Sequence, residues 1–230
     1  MRFACSLLVL CLAAGPGLAT HVPFVGCASD GQTGPRPIPR AKLTPDLPPA
    51  AAAQISYYVR PNNAVLAPRG WRCFETYGSN GQTLFVAPHP IGSIGHIRLT
   101  GPAVMLSVSF GGTSGRFGVA EIAGRLFPAA KPFVDRVEAE GMTDKPFFRH
   151  PYPTDKITYR SPYEALVTTP ANRDGIGTSS LLPKGALPVD SIVRLRDPKG
   201  DSDLIHMSAR LAPQQRPLVA YIIAQVAKER

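Results

Sequence analysis

Long hydrophobic runs are missing from this chain of 230 residues. The longest, Phe3 to Ala14 broken only by Ser6, is about a dozen residues, and a helix that crosses a bilayer needs roughly 20. The signatures of catalysis are missing as well. No G-x-S-x-G elbow occurs, and no serine has a lysine three positions on, which removes the common serine-nucleophile patterns. Gly112-Thr113-Ser114-Gly115 only approximates the elbow, because its second glycine falls one residue early. The five histidines (His21, His89, His96, His150, His206) show no H-x-x-x-H, H-E-x-x-H or H-x-H spacing, so no pair is set to share a metal ion. No metal and no other cofactor is expected, and each histidine reads as a surface or hydrogen-bonded residue. Asp135 and Glu138, three apart on an expected helix, read as a solvated face near Arg136. Clusters of basic charge are also absent. Lys and Arg occur singly, without the concentrated stripe and motif of nucleic-acid binders. The net charge of +9 therefore fits solubility and weak attraction to an anionic envelope component. No repeat recurs at periods of roughly 20–50 residues.

What the chain does have begins at its N-terminus. Arg2, the apolar run and then Gly15-Pro16-Gly17-Leu18-Ala19 form the charged, hydrophobic and small-residue parts of a secretory leader, with cleavage expected after Ala19. A lipoprotein leader fits poorly, since Leu10 before Cys11 is not small. Residues 1–19 are thus expected as a signal peptide, and the mature protein as periplasmic or secreted with no transmembrane anchor. Losing Arg2 and no acid lowers the net charge from +9 to +8.

Cleavage also removes two of the four cysteines, leaving Cys27 and Cys73. In an oxidising compartment such a pair is most simply a disulfide. The alternative is a reactive thiol at Cys73, beside Trp71 and Arg72, which would need a nearby cation or helix N-terminus to depress its pKa.

Gly and Pro number 21 and 25, short of the level of about 25–30% that marks disorder, so many short elements joined by tight turns are expected. Residues 20–49 read as a Pro-rich extended arm tied down by the disulfide, and residues 50–230 as a single α+β domain. Ala50 to Val59 after Pro48-Pro49 reads as a short helix ended by Pro61. Trp71–Tyr77 and Gln82–Ala87 around Gly78-Ser79-Asn80-Gly81 read as a hairpin. Val104, Leu106, Val108 and Phe110 alternate with Met105, Ser107 and Ser109, the period of a strand. Helices are expected from Arg116 to Pro128 and from Pro132 to Glu140, the second closed by Gly141. A strand is expected over 163–169, and a hairpin over 189–211 turning at Asp197–Ser202. In its second strand Ile205, Met207, Ala209 and Leu211 share one face, and His206, Ser208 and Arg210 the other. An amphipathic C-terminal helix carries Leu218, Ile222 and Val226. The fold class is α+β, a mainly antiparallel sheet of hairpins with helices packed on it.

Two loops draw notice. Gly111, Gly112, Thr113, Ser114, Gly115 and Arg116 lie between a strand and a helix, where amides, hydroxyls and a guanidinium could hold an anion. The same residues also suit a tight turn capped by Thr113 or Ser114. The second is the polar glycine loop Asn172–Ser180, a place where function often resides.

The segments His21-Val22-Pro23-Phe24-Val25-Gly26-Cys27 with Ser29-Asp30-Gly31-Gln32, Leu66-Ala67-Pro68-Arg69-Gly70-Trp71-Arg72-Cys73 with Tyr77-Gly78-Ser79, and Phe110–Phe117 resemble a family of exported bacterial proteins with no assigned activity. Thr169-Pro170-Ala171-Asn172 with Gly175 to Ser180 is similar too. The resemblance implies an envelope protein and carries over no catalytic residue. The function expected is a non-catalytic binding or structural envelope module; the alternative is an envelope hydrolase acting on an anionic substrate at Gly111–Arg116.

Overall fold

The computed structural model describes residues 19–40, 42–92 and 95–228; apart from Ala19, the expected leader lies outside them. In chain order the elements open with β1 (Thr20–His21), β2 (Phe24–Gly26), β3 (Ala28–Gly31) and β4 (Asp46–Leu47). Next come α1 (Pro49–Ala52), β5 (Ile55–Arg60), β6 (Asn63–Pro68), β7 (Arg72–Gly78), β8 (Gly81–Ala87) and β9 (Ala103–Ser109). Then follow α2 (Arg116–Leu126), α3 (Lys131–Ala139), β10 (Lys156–Ser161), β11 (Glu164–Thr169), β12 (Val189–Arg196), β13 (Asp203–Arg210) and α4 (Val219–Lys228). The fold is α+β, and its eight-stranded sheet has the order β10-β11-β12-β13-β9-β8-β7-β3. Every pairing in that sheet is antiparallel except β3 with β7. A three-stranded sheet, β2-β5-β6, packs beside it.

Period-two alternation sets the faces of the large sheet. On one face Leu84, Leu106, Ile192, Ile205 and Met207 join the main core with Tyr58 and Leu66 of the small sheet. Helix α4 closes this core through Ile222, Ile223 and Val226. The opposite face carries two separate apolar clusters. Val193, Leu195 and Leu204 pack with α2 and α3 through Val119, Ala123, Phe133 and Val137. Phe85, Met105 and Val189 pack with Ile97, Leu99 and Leu182.

One expected element differs. The helix begun at Pro49 stops at Ala52, and Ile55–Arg60 is instead the central strand of the small sheet, buried throughout. A four-residue turn is too short to propagate as helix, whereas Ile55, Tyr57, Tyr58 and Val59 suit a pleated surface. Pairing on both sides, with β2 and β6, satisfies the strand's backbone.

The Cys27–Cys73 disulfide is formed, with Cα atoms 5.3 Å apart. The N-terminal segment is also hydrogen-bonded to the rest, since β2 pairs with β5 and β3 with β7. Beneath it the Arg60 guanidinium donates to Glu75 at 3.2 Å and to the carbonyls of Cys27 and Pro37. On the central strand β13 the buried Arg210 donates to the carbonyls of Leu99, Gly101 and Pro183, pinning two loops to the sheet. Among the described residues, no helix is long and apolar enough to cross a membrane.

Candidate functional site

Strand register builds a polar row across the face that bears the two apolar clusters. Thr76 pairs with Thr83, Thr83 with Ser107, and Ser107 with His206, so one polar side chain from each of β7, β8, β9 and β13 lies in line. All four are half-buried. The Thr83 and Ser107 hydroxyls share a hydrogen bond of 3.0 Å. Farther along, His206 Nε2 bonds Ser208 Oγ at 3.1 Å, and Ser208 bonds Ser191, also at 3.1 Å. Burial pushes the His206 ring down to about 4, so at neutral pH it is an uncharged hydrogen-bonding group.

At the β7–β8 end this row opens into a groove of about 440 Å³ under the hairpin tip. Its polar lining includes Thr76, Thr83 and Ser109 from the strands, Ser79 and Asn80 from the turn, and Gln32 from the residue after β3. Among the described residues no charged side chain lines it, and its one aliphatic side chain is Val108. The tip lies flush on β9 because Gly81, at φ +147°, has no side chain; a Cβ there would sit 2.2 Å from the Val108 carbonyl oxygen. Two amides are held by their carbonyl ends. Gln32 Oε1 accepts the Ser79 N–H at 2.9 Å. Asn80 Oδ1 accepts the Ser79 hydroxyl at 3.3 Å and also the Ser114 hydroxyl.

Ser114 is thus the residue of the Gly111–Arg116 loop that reaches the groove rim. The rest of that loop is bonded to its own chain. The Gly111 N–H donates to Asp203 at 2.9 Å, and a Cβ at Gly111 would meet the Ser202 carbonyl. Gly112 lies exposed beside Asp201. Thr113 Oγ1 donates to the Phe110 carbonyl and accepts the Gly115 N–H at 3.1 Å, closing the turn ahead of α2. Gly115 packs against the Asn80 carbonyl, where a Cβ would stand 2.3 Å away. Arg116 grips Glu140 with Nε and Nη2 and the Thr113 carbonyl with Nη1. That guanidinium holds the Glu140 carboxyl below its ordinary value.

The glycine loop Asn172–Ser180 packs on the sheet. Asp155 accepts the Ile176 N–H at 2.8 Å and the Thr169 hydroxyl at 2.7 Å, and Thr169 accepts the Gly177 N–H. Asp135 and Glu138 on α3 both pair with Arg149, and Asp135 also with Lys131. Among the described residues no group of three or more His, Cys, Asp or Glu side chains could hold a metal ion.

Sequence reading placed Ser107, Ser109 and His206 on polar strand faces but did not join them, and it missed Gln32, Asn80, Thr76 and Thr83 as site residues. The available signal was the same parity of Thr and Ser in three successive strands; register alone aligns them. No protein-family profile, curated protein or solved structure matches this chain.

Proposed function

We propose that this protein is exported with loss of residues 1–19 and acts in the periplasm or outside the cell as a non-catalytic binding module of the envelope, with the hairpin-tip groove as its contact surface. The leader pattern and the Cys27–Cys73 disulfide support export, because disulfides persist in oxidising compartments. The character of the groove carries the binding part. Its polar groups are neutral hydroxyls and amides, several of them fixed by partners of their own. Hydrolysis by a nucleophile needs a base within hydrogen-bond reach of it. Ser114 bonds an amide oxygen instead, and Ser208, which does bond a histidine, has no exposed surface.

Fractionation of cells expressing the full chain, with mass spectrometry of the product, tests the first part. A periplasmic or secreted form beginning at Thr20 is expected, and an uncleaved cytoplasmic form would overturn export. Isolated envelope should retain the wild-type protein without being degraded by it. Hydrolytic turnover abolished by Ser114→Ala would replace the module with the envelope hydrolase.

A further inference from the structure

We infer that the ligand of the hairpin-tip groove is a neutral glycan, recognised by the side-chain amides of Gln32 and Asn80. This rests on the reading of the groove as a binding surface and names the chemistry it takes. Both amides have their oxygen ends occupied: Gln32 Oε1 by the Ser79 N–H, Asn80 Oδ1 by the hydroxyls of Ser79 and Ser114. Among the described residues neither Gln32 Nε2 nor Asn80 Nδ2 has a protein partner. An amide fixed at its oxygen has its NH₂ direction fixed as well, so each presents two oriented donors. Thr76 and Ser109 add hydroxyls that both donate and accept.

This donor set fits uncharged oxygen acceptors. A phosphate or carboxylate is ordinarily met by Arg or Lys, and the lining has neither although the protein carries a net +9. Of the two guanidinium groups nearby, Arg116 is bound to Glu140 and Arg36 is stacked on the ring of the lining residue Tyr77. A sugar supplies hydroxyl and ring oxygens that match mixed hydroxyls and amides. A peptide would need a free strand edge or an apolar side-chain pocket. The groove offers neither: β7 and β8 are paired on both sides, the edge strand β3 is bridged on its outer side by Arg36 at Ser29, and among the described residues Val108 is the single aliphatic lining group. The Tyr77 ring is itself covered by the Arg36 guanidinium, 3.4 Å from its centroid. A volume of about 440 Å³ lies within the range of small-molecule sites.

The test is calorimetric titration of the mature, disulfide-bonded protein with oligomers of glucose and of N-acetylglucosamine. A galacturonic acid oligomer and an alanine-rich peptide serve as charged and peptidic comparisons. The discriminating variant is Gln32→Glu with Asn80→Asp. It keeps every acceptor that Ser79 and Ser114 use and removes the NH₂ donors. Binding of at least one neutral oligomer is expected, weakened roughly thirtyfold in the double variant at an unchanged melting temperature, as two lost hydrogen bonds imply. Absence of binding by every neutral oligomer at millimolar concentration, or equal binding by both proteins, overturns the inference. If the peptide or the galacturonate oligomer alone binds and the double variant loses it, the neutral-glycan assignment fails while the binding module stands. If isolated envelope is retained equally by wild type and double variant, the groove itself is the wrong surface.

Discussion

Arg60 and Glu75 form an ion pair between the small and large sheets with only 1% and 3% of their side chains exposed. Glu75 Oε2 takes the bond, while among the described residues Oε1 is buried without a partner, and burial pushes the carboxyl up against the pull of Arg60. Removing one member of such a pair strands a charge in the interior, at a cost of about 3–5 kcal/mol. Arg60→Met should therefore destabilise strongly, and Arg60→Met with Glu75→Leu should be the more stable of the two. Urea titrations of the four proteins of the cycle check this. Strictly additive losses would mean that the two charges do not depend on each other.

The disulfide closes a separation of 46 residues. In the chain-entropy treatment a loop of that size is worth about 4 kcal/mol. Cys27→Ala with Cys73→Ala should lose up to that amount, seen as a lower denaturant midpoint. Thiol titration of the denatured, unreduced mature protein should find no free sulfhydryl; two per chain would show that the bond does not form.

His206 makes stability depend on pH in a defined direction. Its folded value is pushed down to about 4 from 6.5, so the unfolded chain binds a proton over a window in which the native chain does not. The contribution is fully present above about pH 6.5 and is lost as pH falls toward 4, by at most about 3 kcal/mol. His206→Gln should lack this part of the acid slope. Denaturation measured at several pH values between 7.5 and 4.5 compares the two proteins, and identical slopes would count against it.

Helix α4 is anchored by Ile222, which has no exposed surface. Ile222→Ala removes that packing and leaves a cavity, for an expected loss of roughly 2–5 kcal/mol. An unchanged melting temperature would mean that the helix does not dock on the sheet.

The face of β13 shows where local pattern was enough and where it was not. Ile205, Met207 and Ala209 read as one apolar face and lie together in the main core. His206, Ser208 and Arg210 read as the other face, yet Ser208 and Arg210 are buried. A second layer covers that side, and hydrogen bonds to Ser191, Leu99, Gly101 and Pro183 take the place of water. Polarity in a strand reports the need for partners, not exposure.

Several features are properties of short windows and were fixed by the sequence alone. They include the β7–β8 and β12–β13 hairpins, the proline start and glycine end of α3, and the apolar stripe of α4. Each depends on residues a few positions apart. Three others were decided by the tertiary structure. Ile55–Arg60 is a strand because β2 and β6 flank it. Arg116 is bound to Glu140 because α3 ends beside the start of α2. The groove exists because strand register sets Thr76 beside Thr83 and Ser109 beside Gly81, and because Ser114 reaches Asn80, 34 residues away. Backbone pairing and side-chain contact over such separations depend on how whole elements pack, which no local periodicity encodes.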